Sequence, residues 1–269
     1  MKRLRRAADI QMKAGSDKDM CDLTGMVLLP GDMMLLCDWS NDSVKLVDLK
    51  TGQLVSTLCL LSRPWAVCAA PQQQVAVTLP EEGVIQLLNI SVNITKSTSI
   101  KIKSNCWAIC ALKDNFVVTY HDGNIAIVDR KGRELYSRFG QKLFSRPLYI
   151  SVNASEPAVY VSDIDLHTVT KLDLELKVVR TMKNEQMQTI RSLVSVDEHH
   201  LLVSCERSHT IVLLNTKTQK VRVLLDEEKG IQGPKCASYS PENERLYVTC
   251  WTLGNAGFCN NVKVFDVIN

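Results

Sequence analysis

The side chains in this sequence that could do chemistry are few, and they fall in turns. His121, His167 and His209 recur at similar intervals in such segments, and imidazole is a common zinc ligand. No fixed carboxylate accompanies them, and no CxxC or paired Cys/His spacing occurs anywhere, so the ligand count for a metal centre is not met and no metal is expected. No nucleophile with an adjacent base can be named; no catalytic residue is assigned, and neither a cofactor nor a small-molecule substrate is expected. Recognition chemistry remains. Trp39, Tyr120, His121, His167, Arg207, His209 and Trp251 occupy one class of turn, and Arg63, Arg146, Arg191 and Lys235 another, with Lys103, Lys142 and Lys183 close by. Cations interleaved with aromatics serve single-stranded nucleic acid through phosphate contacts and base stacking. Trp, Tyr and Arg serve protein interfaces equally well. Asp42, Glu81, Glu82, Asp122, Asp163, Asp165 and Glu206 share these turns and dilute the positive charge. Protein is therefore the expected partner and single-stranded RNA the alternative.

The elements that must position these residues repeat. VKLVD (44–48), IQLLN (85–89), IAIVD (125–129), VTKLD (169–173), IVLLN (211–215) and VKVFD (262–266) are short apolar strands ending on Asp or Asn. They start roughly 40 residues apart, with a longer last interval, and that period with several strands per repeat is the signature of a β-propeller. Taking these as the third strand, c, of each repeat places strand b at 34–38, 74–79, 116–120, 158–163, 200–205 and 245–250. Strand a of the first repeat falls at 25–30, and strand d at 53–60, 135–139, 177–182 and 220–225. The turns PGD (30–32), KTG (50–52), HDG (121–123) and RKG (130–132) carry residues that tolerate tight or left-handed backbone. The sixth repeat supplies only a, b and c. ADIQMKA (8–14) alternates like a strand, and its pairing there would close the ring. The expectation is an all-β chain with a basic tail at 1–7 and one six-bladed propeller at 8–269, its b-to-c and d-to-a turns sharing one face. The stretch 251–261 reads as a surface loop inserted on that face. Trp65 and Trp107, at matching repeat positions, are expected to pack between blades, and His199 and His200 to be solvated in an a-to-b hairpin.

Composition narrows this little further. Of 269 residues, 45% are apolar and 23% charged, the balance of an ordinary soluble domain. A net charge of +3 and a pI near 8.3 fall short of a nucleic-acid protein's usual excess. MKRLRR is followed by AADIQMKAG rather than an apolar stretch, so neither a secretory signal nor a membrane span is expected. Cys37, Cys68, Cys110, Cys205, Cys236 and Cys250 fall in expected strands and Cys21, Cys59, Cys106 and Cys259 nearer loops; all ten are read as reduced thiols in a cytoplasmic protein.

The b-to-c junctions CDWSNDSVKLVD (37–48), SDIDLHTVTKLD (162–173) and CERSHTIVLLN (205–215) resemble the NHL repeat. Asp38 and Asp163 stand at its Asp position, Asn41 at its Asn position, and His167 and His209 at its His position. Leu79, Thr119, Cys205 and Cys250 replace the Asp elsewhere. The run from Thr24 to Leu60 and the segment RPWAVCAAPQQQVAVTLPEEGVIQLL are similar to the C-terminal propellers of tripartite-motif (TRIM) ubiquitin ligases. That resemblance implies a six-bladed NHL propeller acting as a substrate-recognition module in protein ubiquitination, some relatives binding RNA on the same face. It implies that the histidines are structural loop residues. The RING, B-boxes and coiled coil of full-length members are not in this sequence, so ligase activity would need them upstream.

Overall fold

A computed structural model describes residues 3–138, 143–153, 157–251 and 260–268. β1 (Arg3–Arg6) and β2 (Ile10–Gln11) precede six four-stranded antiparallel blades. Blade 1 comprises β3 (Leu23–Leu29), β4 (Met33–Asp38), β5 (Ser43–Asp48) and β6 (Gln53–Cys59); blade 2 comprises β7 (Val67–Ala70), β8 (Gln74–Leu79), β9 (Val84–Ile90) and β10 (Ile94–Lys101). Blade 3 runs through β11 (Cys106–Leu112), β12 (Asn115–Tyr120), β13 (Ile125–Val128) and β14 (Glu134–Arg138), and blade 4 through β15 (Pro147–Asn153), β16 (Ala158–Asp163), β17 (Thr168–Leu172) and β18 (Val178–Lys183). Blade 5 holds β19 (Ile190–Asp197), β20 (His200–Cys205), β21 (Thr210–Asn215) and β22 (Val221–Leu225); blade 6 holds β23 (Pro234–Ser240), β24 (Arg245–Cys250) and β25 (Asn261–Ile268), with β1 as its outer strand. The fold is the expected six-bladed propeller.

Why the b strands read as unbroken apolar runs follows from where their two faces go. Successive side chains of a strand point to opposite faces, and each blade is sandwiched between two others. In β8, Val75 and Val77 enter the cluster shared with blade 1 while Ala76 enters the one shared with blade 3. Six apolar clusters fill the six blade interfaces, and a seventh, built on Leu148, Tyr149, Ile164 and Cys236, closes the axis. The outermost strands have one free face, so β18 and β14 are exposed along most of their length.

The ring closes through the N-terminus as expected, the segment 8–14 pairing with β25 through Ile10 and Gln11, but the outer strand itself lies earlier in the chain. Arg3–Arg6, read as a tail, pairs with Phe265–Ile268 of β25, and Ile10 and Gln11 pair with Val262 and Asn261 of the same strand. Three arginines fit an outer edge because their charged ends stay in water while their stems cover the strand. Met12 follows and is fully buried between blades 6 and 1. Phe139, expected to end a strand, and 252–259 of the expected insertion lie outside the described residues. The nine described cysteines are free, and most are buried; Cys106, expected near a loop, begins β11. Among the described residues no helix is long and apolar enough to cross a membrane.

Candidate recognition surface

One position of strand a decides what the mouth of the axis looks like. The residue following it lies opposite, or bonds to, a fixed residue of strand b: Gly25 to Cys37, Ala66 to Thr78, Ala108 to Thr119, Tyr149 to Ser162, Ser192 to Ser204 and Cys236 to Thr249. The six equivalent mouth residues are therefore Thr24, Trp65, Trp107, Leu148, Arg191 and Lys235. The b-strand hydroxyls tie one blade to the next: Thr78 donates to Trp107 O at 2.8 Å, Thr119 to Pro147 O at 2.7 Å and Thr249 to Leu23 O at 3.2 Å. In blade 1, where Cys37 replaces the hydroxyl, Thr24 Oγ1 donates to Trp65 O instead. Below the mouth Tyr149 crosses the axis, its hydroxyl donating to Thr24 O at 2.9 Å, and the remaining axial cavity is only about 70 Å³.

Trp65 and Trp107, expected between blades, meet over the axis, Trp65 also packing against the cluster between blades 2 and 3. Their ring centroids lie 4.5 Å apart edge to face, and Trp39, from the b-to-c loop of blade 1, stacks on Trp107 at 5.8 Å and meets Trp65 edge to face at 5.4 Å. The Arg63 guanidinium lies 5.5 Å from the Trp39 ring, and His121 lies against Trp107. All three tryptophans are half-buried, and Leu61, beside Arg63, is 85% exposed. Blades 5 and 6 make the opposite, charged side of the mouth. Arg191 pairs with Glu206, and Lys235 pairs with Asp22 and sits 3.8 Å from the centroid of the Trp251 ring. Burial pulls Lys235 below the ordinary lysine range, Asp22 opposing it.

Of the residues singled out in the sequence, Trp39, Arg63, His121, Arg191, Lys235 and Trp251 come together around this mouth. Arg146 is farther out, exposed, and bonded to Asp165 at 2.5 Å. Arg207 is exposed on the b-to-c loop of blade 5. Tyr120 is not a loop residue; it ends β12, 1% exposed, and occupies the repeat's Asp position in place of Thr119, since Thr119 pairs with Ile125. His167 and His209 hold the scaffold. Each adopts positive φ, and their Nδ1 atoms accept the backbone N–H of Thr189 at 3.0 Å and of Gly233 at 2.9 Å, each from the next blade's entrance. The three histidines do not converge on a common ligand position. His200 is likewise engaged, with Asp197 and Asn215. Lys142 lies outside the described residues.

The expected positive face is electrically different from its sequence. Lys103 pairs with Asp122, Arg146 with Asp165, Arg191 with Glu206 and Lys235 with Asp22, whereas Arg63 and Arg207 form no ion pair among the described residues. The exposed acids Asp42, Glu81, Glu82, Glu227 and Glu228 in the same loops form no ion pair among the described residues. Sequence reasoning also missed a buried cluster behind this face. Lys45, with no exposed surface, bonds to Asp17, to Asp38 Oδ2 at 2.7 Å and to Cys21 Sγ at 3.0 Å. Asp17, Cys21 and Asp38 present ligand atoms close enough for a metal, but the Lys45 ammonium already fills the cation's place.

No protein-family model matches the chain, and no curated protein is similar to it. Solved structures are similar in fold. A catalytically inactive virginiamycin B lyase from Staphylococcus aureus, crystallised with quinupristin, aligns over 98% of this chain and 100% of its own with a TM-score of 0.69 at 11% identity. The β-propeller domain of Myceliophteria thermophila Cps50 (Swd1) aligns over 92% and 84%, TM-score 0.67, 13% identity. Kuenenia stuttgartiensis hydrazine synthase aligns over 88% and 76%, TM-score 0.67, 15% identity. At such identities the likeness shows the propeller fold alone.

Proposed function

We propose that this propeller is a non-catalytic protein-recognition module that docks its partner on the b-to-c and d-to-a loops, over the axis. The observation that carries the reading is the mutually packed trio Trp39, Trp65 and Trp107, half-buried at the mouth with Arg63 against the Trp39 ring and the exposed Leu61 on the same d-to-a loop as Arg63. Rigid aromatics on a fixed scaffold bury large area while losing little entropy, which makes interface hot spots. The NHL-like junctions support a role as the substrate-selecting domain of a TRIM-type ubiquitin ligase: Asp38 and Asp163 accept backbone N–H groups of the neighbouring strand-a entrances, from Asp22 and from Ser145 and Arg146, and His167 and His209 tie blade to blade. The alternative partner, single-stranded RNA, is disfavoured by the pairing of most cations on the face. The closed axis, plugged by Tyr149, supports a surface ligand rather than a substrate drawn into a tunnel.

The test is partner capture from cell lysate by the purified domain. Trp39→Ala with Trp251→Ala is expected to abolish the capture seen with wild type, while substitutions at Thr218 and Lys220 on the opposite face leave it intact. The converse pattern would assign the wrong face.

A further inference from the structure

The charge left uncompensated on the loop face identifies the chemistry of what docks there. On the blade 1 and 2 side of the tryptophans, Asp42, Glu81 and Glu82 are exposed and form no ion pair among the described residues; across the mouth Glu227 and Glu228 do the same. Of the basic residues at the mouth, Arg191 and Lys235 are neutralised by Glu206 and Asp22. Arg63 alone faces the tryptophans, held against the Trp39 ring. The centre is thus aromatic and its blade 1 and 2 rim acidic, while Lys183, ending β18 of blade 4, and Arg207, on the b-to-c loop of blade 5, are exposed and form no ion pair among the described residues, and the chain as a whole carries +3.

We infer that this face takes an extended protein segment rich in Lys and Arg around an apolar or aromatic anchor, the anchor seating on Trp39 and Leu61 and the flanking cations facing Asp42, Glu81 and Glu82. The inference rests on the protein-recognition reading above and adds the partner's charge. Complementary rim charge speeds encounter and selects partners, with a salt dependence that betrays it. Guanidinium and ammonium groups also gain from lying over indole. A polyanion meets repulsion at the same rim, so the arrangement opposes RNA for the same reason that it favours a basic peptide.

Three pools of short fluorescent peptides, all with a central Trp, Phe or Leu and flanked by Lys/Arg, by Ser/Gly or by Asp/Glu, test this by retention on the immobilised full chain at low and physiological salt. The basic pool is expected to bind best and to weaken as salt rises. Glu81→Lys with Glu82→Lys is expected to weaken it about three- to tenfold and to flatten its salt response. Leu61→Ser, at a fully solvated site, is expected to weaken all pools alike, and circular dichroism verifies each variant's fold. Equal retention of the three pools, lost on Leu61→Ser, leaves the recognition face standing and overturns its basic partner. Preference for the acidic pool or for oligouridine, or indifference to the charge reversal, likewise overturns it. Retention of no pool overturns both readings.

Discussion

A lysine with no exposed surface needs its charge answered, and Lys45 is answered twice. Burial pulls its ammonium toward the neutral form, but the hydrogen bonds it donates to Asp17 and Asp38, and to Cys21 behind them, outweigh burial and hold its pKa above the ordinary lysine value. Truncation would strand two buried carboxylates. Lys45→Met is therefore expected to lose about 3–5 kcal/mol in urea unfolding, the usual cost of breaking a buried pair from one side. A group whose folded pKa is raised contributes fully below its unfolded pKa, about 10.4 for lysine, and loses that contribution as pH climbs through the folded value. The wild-type advantage over Lys45→Met should accordingly be constant at neutral pH and shrink only in the alkaline range. The neighbouring Cys21 thiol is pushed up to about 12 by burial and by Asp38, and burial does the same to Cys236. Alkylation of the native protein near pH 8, mapped by peptide mass, is expected to mark exposed Cys59 well before either; early labelling of Cys21 would show that its pocket opens. The sequence showed only half of this cluster: Lys45 stands in the repeated strand VKLVD and Asp38 at the repeat's Asp position, but Asp17 and Cys21 belong to no repeat motif and meet them only when blade 1 folds against the entering chain.

At the level of strands and turns the sequence was far more readable, since the period fixes strand c and alternation fixes which interface each side chain enters. Turn chemistry was readable where a residue type is demanded by geometry. Gly123, in HDG, has φ near +83°, and a Cβ there would stand 2.3 Å from the carbonyl oxygen of Phe144 in the next blade's entrance. Gly123→Ala combines that clash with left-handed strain and is expected to cost about 1–3 kcal/mol, read as a lowered urea midpoint at unchanged m. Histidine at positive φ is a subtler case. His209→Ala loses the acceptor for the buried-side Gly233 amide and is expected to cost a similar ~1–3 kcal/mol; Asn, which tolerates the left-handed region, should recover part of it. Motif resemblance implied structural loop histidines, in keeping with the amides they accept, while loop composition placed the same residues among the partner-binding ones, since an imidazole is equally at home bonding an amide or facing a ligand. In blade 3 the pairing of β11 with β12 shifts register between Cys106 and Ile109, the stretch that carries Trp107, and no periodicity in the sequence announces such a bulge.

For the ring as a whole, closure is the step on which every interface depends, because six blades in an open arc leave a free edge on blade 6. Here the edge of β25 is covered by β1 and β2, and the same segment inserts Ile10 and Met12 into the cluster between blades 6 and 1. Each such side chain is worth about 1.5–3 kcal/mol when fully buried, and the β1 hydrogen bonds to Phe265–Ile268 add to this. Removing residues 1–12 deletes both contributions and exposes the β25 edge, a template for pairing with another chain. The expected outcome is a loss of several kcal/mol, with the thermal midpoint falling by roughly 2–4 °C per kcal/mol for a domain of this size. Self-association on size-exclusion chromatography should accompany it. Arg3→Glu with Arg5→Glu and Arg6→Glu separates the two roles of the segment: β1 keeps its backbone pairing but loses Arg5 to Asp266 and Arg6 to Asp9. Both pairs are at the surface and worth little, so this variant should stay monomeric within about 1–2 kcal/mol of wild type. If it fell as far as the truncation, charge rather than strand pairing would be closing the ring.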